Sequence, residues 1–305
     1  MSLQNTLKLH IILLFFISHN ASSADLHLIV RQCTEAMNAG QSDKALVAAE
    51  SALKHDPSHS EALLCKGRAL GALGKITDAE KTLEQASKAA KTDFDAGIAA
   101  LLLGNLHREN KAYSKAIADY QNGLSHFHPQ NNQRYVYISH VLLGEAHTQN
   151  LDMNNALQSY QAANKIANND NERAESYARI ASTYAALTQY DQAIEHQLKS
   201  AMMQKKAGTL DQYAEASLQL GQYYHLAKDY KNAGVTFNKL RDFAKTNGGA
   251  YYEAKADLMM AKNDLAANDT NAAKTNLDEA QKVAKGLNDA ELNAEIATFA
   301  QSLNK

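Results

Sequence analysis

Residues 101–124 read LLLGNLHRENKAYSKAIADYQNGL. Leu103-Gly104 lies within one amphipathic segment. Ala116 follows Gly104 by twelve residues and leads to Tyr120 and Gly123 on a second amphipathic segment. The polar run Arg108-Glu109-Asn110-Lys111 divides the two. Small residues at Gly104, Ala116 and Gly123 let two helices approach closely, and Leu103 and Tyr120 fill the volume around the contact. This predicts a helix–turn–helix with too little core to stand alone.

The pattern recurs. Ala45, Ala79, Ala116, Ala156, Ala193, Ala233 and Ala273 are spaced by 34, 37, 40, 37, 40 and 40 residues. Twelve residues before each lies another small residue: Cys33, Gly67, Gly104, Gly144, Ala181, Gly221 and Ala261. Four and seven residues beyond the anchor, most copies carry apolar or small residues, as in Tyr160 and Ala163 or Phe237 and Leu240. The fifth copy departs, with Gln197 and Ser200. Only 2 prolines and no tryptophan occur in 305 residues, and 45% of residues are hydrophobic, which favours an all-α protein over a disordered one.

In this register the repeat resembles the tetratricopeptide repeat (TPR). That family's Leu-Gly pair is matched by Leu103-Gly104, Leu143-Gly144 and Leu220-Gly221, and its following tyrosine by Tyr184 and Tyr224. His107 and His147 stand at that position in two other copies, and Pro57 matches the terminal proline. The aromatic that opens the family motif is missing throughout. The resemblance covers about residues 26–285 and implies an all-α, TPR-type α-solenoid, a right-handed superhelix of about seven helical hairpins. The residues added to a 34-residue unit fall mainly between copies, at 91–94, 126–131, 168–171 and 246–249, in turn-forming Asn, Asp, Gly and Pro.

The ends differ from the middle. Lys8 and His10 precede the apolar run Ile11–Ile17, and small residues follow up to Ala24. Seven apolar residues are too few to span a bilayer, so residues 1–24 read as a signal peptide cleaved before Asp25. The expectation is a periplasmic or secreted protein with no stable membrane insertion after signal removal. Residues 25–288 form the solenoid. In 289–305, Leu292, Ile296 and Phe299 at helical spacing predict a capping helix. Cys33 and Cys65 lie on first helices of adjacent copies; the pattern allows a disulfide but favours two buried thiols.

The chemistry-bearing motifs are sparse. Gly74-Lys75 suggests a phosphate loop, but Ala69 replaces its first glycine and Ile76 its hydroxyl residue. The 12 histidines show no zinc-ligand spacing; His126 and His128 flank Phe127, while His140 and His147 lie seven apart. There is no HExxH, GxSxG or CxxC. The reading is a non-enzyme with no cofactor and no metal site. With 31 basic against 33 acidic residues, nothing points to nucleic acid.

The resemblance implies that the first helices line a concave groove. One position beyond each small residue, the groove floor is polar throughout: Thr34, Arg68, Asn105, Glu145, Ser182, Gln222 and Lys262. Leu102 and Leu142 supply an apolar middle, with Arg68 and Arg108 to one side and Arg179 to the other. The candidate ligand-binding residues are therefore Arg68, Leu102, Asn105, Arg108, Leu142, Glu145 and Arg179. The carboxylate clamp found in some members is not supported, since Leu64, Leu101 and Val141 occupy its lysine position. The expected function is a scaffold that binds a protein or peptide. The alternatives are a periplasmic sensor or adaptor responding to a small ligand, or an enzyme with an unrecognised site between repeats.

Overall fold

The computed structural model describes residues 23–127 and 129–303, with the side chains of 23, 24 and 129–131 left aside. Met1 to Ser22, most of the expected signal peptide, lie outside these residues. The described residues form 15 helices and no strand. They divide into two compact units, with the boundary between Lys91 and Thr92.

The first unit holds α1 (Ser23–Asn38), α2 (Ser42–His55), α3 (Ser60–Ala72) and α4 (Ile76–Ala89). The second holds α5 (Asp93–Glu109), α6 (Tyr113–His126), α7 (Pro129–Gln149), α8 (Met153–Ile166), α9 (Asp170–Ala186), α10 (Tyr190–Ala207), α11 (Leu210–Leu226), α12 (Tyr230–Thr246), α13 (Ala250–Ala266), α14 (Thr270–Ala284) and α15 (Ala290–Leu303). Within each unit successive helices pack on one another, so odd- and even-numbered helices pair as seven antiparallel hairpins with α15 left over. The array is of TPR type. The wider repeat spacing goes partly into longer helices: α3 has 13 residues, whereas α5, α9, α11 and α13 have 17.

All seven hairpins turn in the same way. Gly40, Gly74, Lys111, Leu151, Thr188, Lys228 and Asn268 have φ between 58° and 73°, each five residues before its alanine anchor. In each turn the next amide closes back over the first helix, as Asp152 N does to His147 O at 2.9 Å and Gln189 N to Tyr184 O at 2.9 Å. This is the left-handed helix ending that glycine adopts most easily. Five of the seven turns use another residue and hold it in a disfavoured backbone region. Side-chain caps start the helices that follow the longer loops. Asp95 N donates to Thr92 Oγ1 at 3.1 Å, Glu172 N to Asn169 Oδ1 at 2.8 Å, and Thr209 with Gln212 forms a capping box.

The core of each hairpin follows from the small first-helix residue. A Cβ on Gly104 would overlap the ring of Tyr120, one on Gly144 the ring of Tyr160, one on Gly221 the ring of Phe237, and one on Gly67 the Leu83 side chain. The glycine therefore makes room for a bulky side chain sixteen residues on, reaching across from the second helix. Tyr120 and Phe237 are wholly buried, and burial holds the Tyr120 phenol well above its ordinary pKa. At the C-terminal end, Leu292 and Ile296 of α15 join a cluster with Leu258 and Leu277, with Phe299 packed against it. This is the expected cap.

The expectation of free thiols is corrected. Cys33 on α1 and Cys65 on α3 are disulfide-bonded, with Cα atoms 6.3 Å apart. Both occupy inward positions on adjacent first helices, and that distance is inside the reach of a bridge. Chain-entropy arguments for such a cross-link give about 3–4 kcal/mol.

Candidate functional site

Six of the seven candidate residues lie on α5, α7 and α9 of the second unit. Arg68 lies on α3 of the first, half-buried. The groove-floor positions, Thr34, Arg68, Asn105, Glu145, Ser182, Gln222 and Lys262, are all at least half-exposed or partly so; none is buried. Each follows a buried small residue by one step, which turns its side chain off the hairpin contact.

Glu145 is the centre of an ion network. It pairs with Arg108 from α5 and, at 2.7 Å, with Arg179 Nη1 from α9. Arg179 Nη2 also donates to Glu175 Oε1 at 2.8 Å. Burial works against the charge on Arg179, yet Glu175 and Glu145 hold its pKa above the ordinary value. Both arginines thus already carry carboxylate partners, and Glu145 fastens three successive first helices. Asn105 accepts a hydrogen bond from the Tyr120 hydroxyl at 2.7 Å, so it also supports its own hairpin. Leu102 and Leu142 are half-buried, and Leu142 packs against the cluster around Leu101 and Tyr120.

The histidines at the tyrosine position do structural work. His107 is buried and bonds Asp119 through Nδ1, and His147 Nδ1 lies 3.5 Å from Asp152. Among the described residues, no group of three His, Cys, Asp or Glu side chains is placed to hold a metal ion.

The sequence reading missed one cavity. A cleft of about 770 Å³ opens beside copy five, walled by α9, α10, α11 and α13. Its inner wall is polar and buried: Gln197 and Ser200 at 2% exposure and Gln204 at 8%. Arg179 belongs to this cleft as well as to the network. The signal was present in Gln197 and Ser200, which break the pattern of the other copies.

A tetratricopeptide repeat family model matches residues 36–102, and a second matches residues 174–206, which take in most of α9 and α10, the two helices of copy five. No curated protein matches the sequence. Among solved structures, the apo form of RapI is similar with a TM-score of 0.66 at 15% identity, over 92% of this chain and 82% of that one. The C-terminal part of a TPR repeat-containing protein from Cytophaga hutchinsonii gives a TM-score of 0.64 at 13% identity, over 87% and 98%. Cut9, solved with Hcn1 as an APC/C hetero-tetramer, gives 0.51 at 16% identity; it is covered over 48% of its length, so this chain spans about half of it, while 89% of this chain is used. At these identities the likeness shows the fold alone.

Proposed function

We propose that this chain, a tandem array of tetratricopeptide repeats, is a non-catalytic scaffold that holds a protein or peptide on the face lined by its first helices. Such folds are in general non-catalytic binding scaffolds. The carrying observation is the polar floor of that face within the second unit, above a buried small-residue seam, with Leu102 and Leu142 as apolar contact points and the Arg108–Glu145–Arg179 network between three helices. Central apolar residues and arginines suit an interface. Arg68 holds the corresponding position on α3.

Export belongs to the same reading. The apolar run at 11–17 has the length and flanks of a signal segment, and a Cys33–Cys65 disulfide suits an oxidising compartment. Terminal sequencing of protein from the native host should begin at Asp25; recovery of Met1 on cytosolic protein refutes export.

The experiment for binding is affinity capture from native-host extract with the wild-type chain and with Arg108→Ala/Arg179→Ala, folding of the variant being checked by circular dichroism. The expected result is a partner retained by the wild type and lost from the folded variant. Equal capture by both refutes the assignment of these residues.

A further inference from the structure

Six of the seven hairpins place an alanine, leucine or aromatic residue sixteen positions beyond the small first-helix residue; copy five places Gln197. Gln197 is as buried as the residues at that position in the other copies, but it brings a polar amide. Its Nε2 donates to Ala216 O on α11 at 2.9 Å. Ser200 and Gln204 continue the same face of α10 at helical spacing. The other copies have Ala, Gly or Leu at the position of Ser200. A hairpin core has thus been replaced by a polar wall, and the cleft lies against it.

Two features define what the cleft accepts. Gln204 Oε1 is buried and has no hydrogen-bond partner, a state that is unfavourable unless a donor arrives. The rim carries three carboxylates, Glu175 on α9 and Asp211 and Glu215 on α11, against one cation, Arg179, whose terminal nitrogens are engaged by Glu145 and Glu175. The rings of Tyr223 and Tyr252 complete the walls. Acceptors, net negative charge and aromatic faces together suit a planar, donor-rich cation.

We propose that this cleft seats an arginine side chain of the bound protein or peptide, its guanidinium donating to the Asp211 and Glu215 carboxylates. This rests on the scaffold reading and gives that scaffold a specificity pocket. The volume lies in the range of sites that enclose a side chain or small ligand.

The test is calorimetry on the full chain with three probes: the blocked peptide Gly-Ser-Arg-Ser-Gly, the same peptide with glutamine in place of arginine, and free agmatine. The arginine peptide is expected to bind at least tenfold more tightly than the glutamine peptide. Asp211→Asn/Glu215→Gln changes two exposed side chains and should keep the fold while weakening the arginine peptide at least fivefold. Gln197→Phe should fill the cleft and abolish binding. Equal affinity for the two peptides, no binding of either, or full affinity in the rim variant overturns the assignment. Binding of agmatine without the peptide overturns it in favour of a free guanidinium. If the scaffold reading alone failed, no partner would be captured from extract while the arginine and glutamine peptides were still distinguished.

Discussion

Copies four and five are neighbours of nearly the same length, yet they use the centre of the hairpin in opposite ways. In copy four Gly144 lies under the ring of Tyr160, and the space between α7 and α8 is filled. In copy five Ala181 faces a position held by Gln197, whose amide reaches out to α11, and a cleft follows. The helices form in both. What changes is whether the buried side chain sixteen residues on is an apolar ring or an amide bonded to the next hairpin, so repeat architecture and a local polar site can share one backbone pattern.

The comparison breaks most visibly when the ring is removed. Tyr160→Ala should cost about 3–5 kcal/mol, as for a buried aromatic truncation. Gln197→Ala should cost less, about 1–2 kcal/mol, from one lost hydrogen bond and the small void left by a buried side chain. Urea denaturation of the two variants checks this, and equal losses would mean that copy five is as tightly closed as copy four. Gly144→Leu attacks the same contact from the other helix. The added side chain overlaps the Tyr160 ring, and the expected loss is about 1–3 kcal/mol, partly offset by helix propensity. An unchanged melting temperature would put the repeat register in error.

Buried polarity can also be compared without a cleft. Asp257 on α13 is 2% exposed, and its Oδ1 has no hydrogen bond; Arg241 lies 3.5 Å away. Burial pushes its pKa up to about 6, against the opposing pull of Arg241. The folded state therefore holds this proton more tightly than the unfolded state, whose value is near 3.9. Its contribution to stability falls as pH rises from about 4 to 6, and the penalty is complete above 6. Asp257→Asn should stabilise the protein at pH 7.5 by roughly 1–3 kcal/mol, with the gain vanishing near pH 4. Melting curves at the two pH values measure it, and an equal gain at both would show that the carboxyl is already neutral or not desolvated.

The smallest effect lies at the turns. Leu151 in copy four and Thr188 in copy five both sit at positive φ, 61° and 58°. Thr188→Gly should raise stability by about 1 kcal/mol by removing a strained β-branched residue, and Leu151→Gly should do much the same. A loss in either variant would show that the side chain contributes more than the strain removes.

Most of the fold was legible because it depends on local, periodic chemistry. Small residues twelve apart around a turn fixed where each hairpin crosses, and Leu292 and Ile296 marked the cap. The partner of Gly144 was less legible: Ala156 marks the copy, but Tyr160 makes the contact, since side-chain reach rather than sequence spacing decides what touches. The candidate strip was found by register alone, and register says nothing about charge pairing, so the shared Glu145 between Arg108 and Arg179 was not foreseen. Cys33 and Cys65 were left to a weighing of alternatives, because only the separation of α1 and α3 settles whether they meet. The cleft escaped because it arises from a departure at Gln197 and Ser200, which reads in sequence as a weak repeat.

The central claim is that partners bind on the first-helix face and enter copy five. Amide hydrogen exchange of the full chain, with and without the partner captured from native-host extract, tests it most directly. The predicted result is added protection in α9, α11 and the C-terminal turns of α10, with α12 and α14 unchanged. Protection confined to α12 and α14, with α9 and α11 exchanging as in the free protein, would contradict the account.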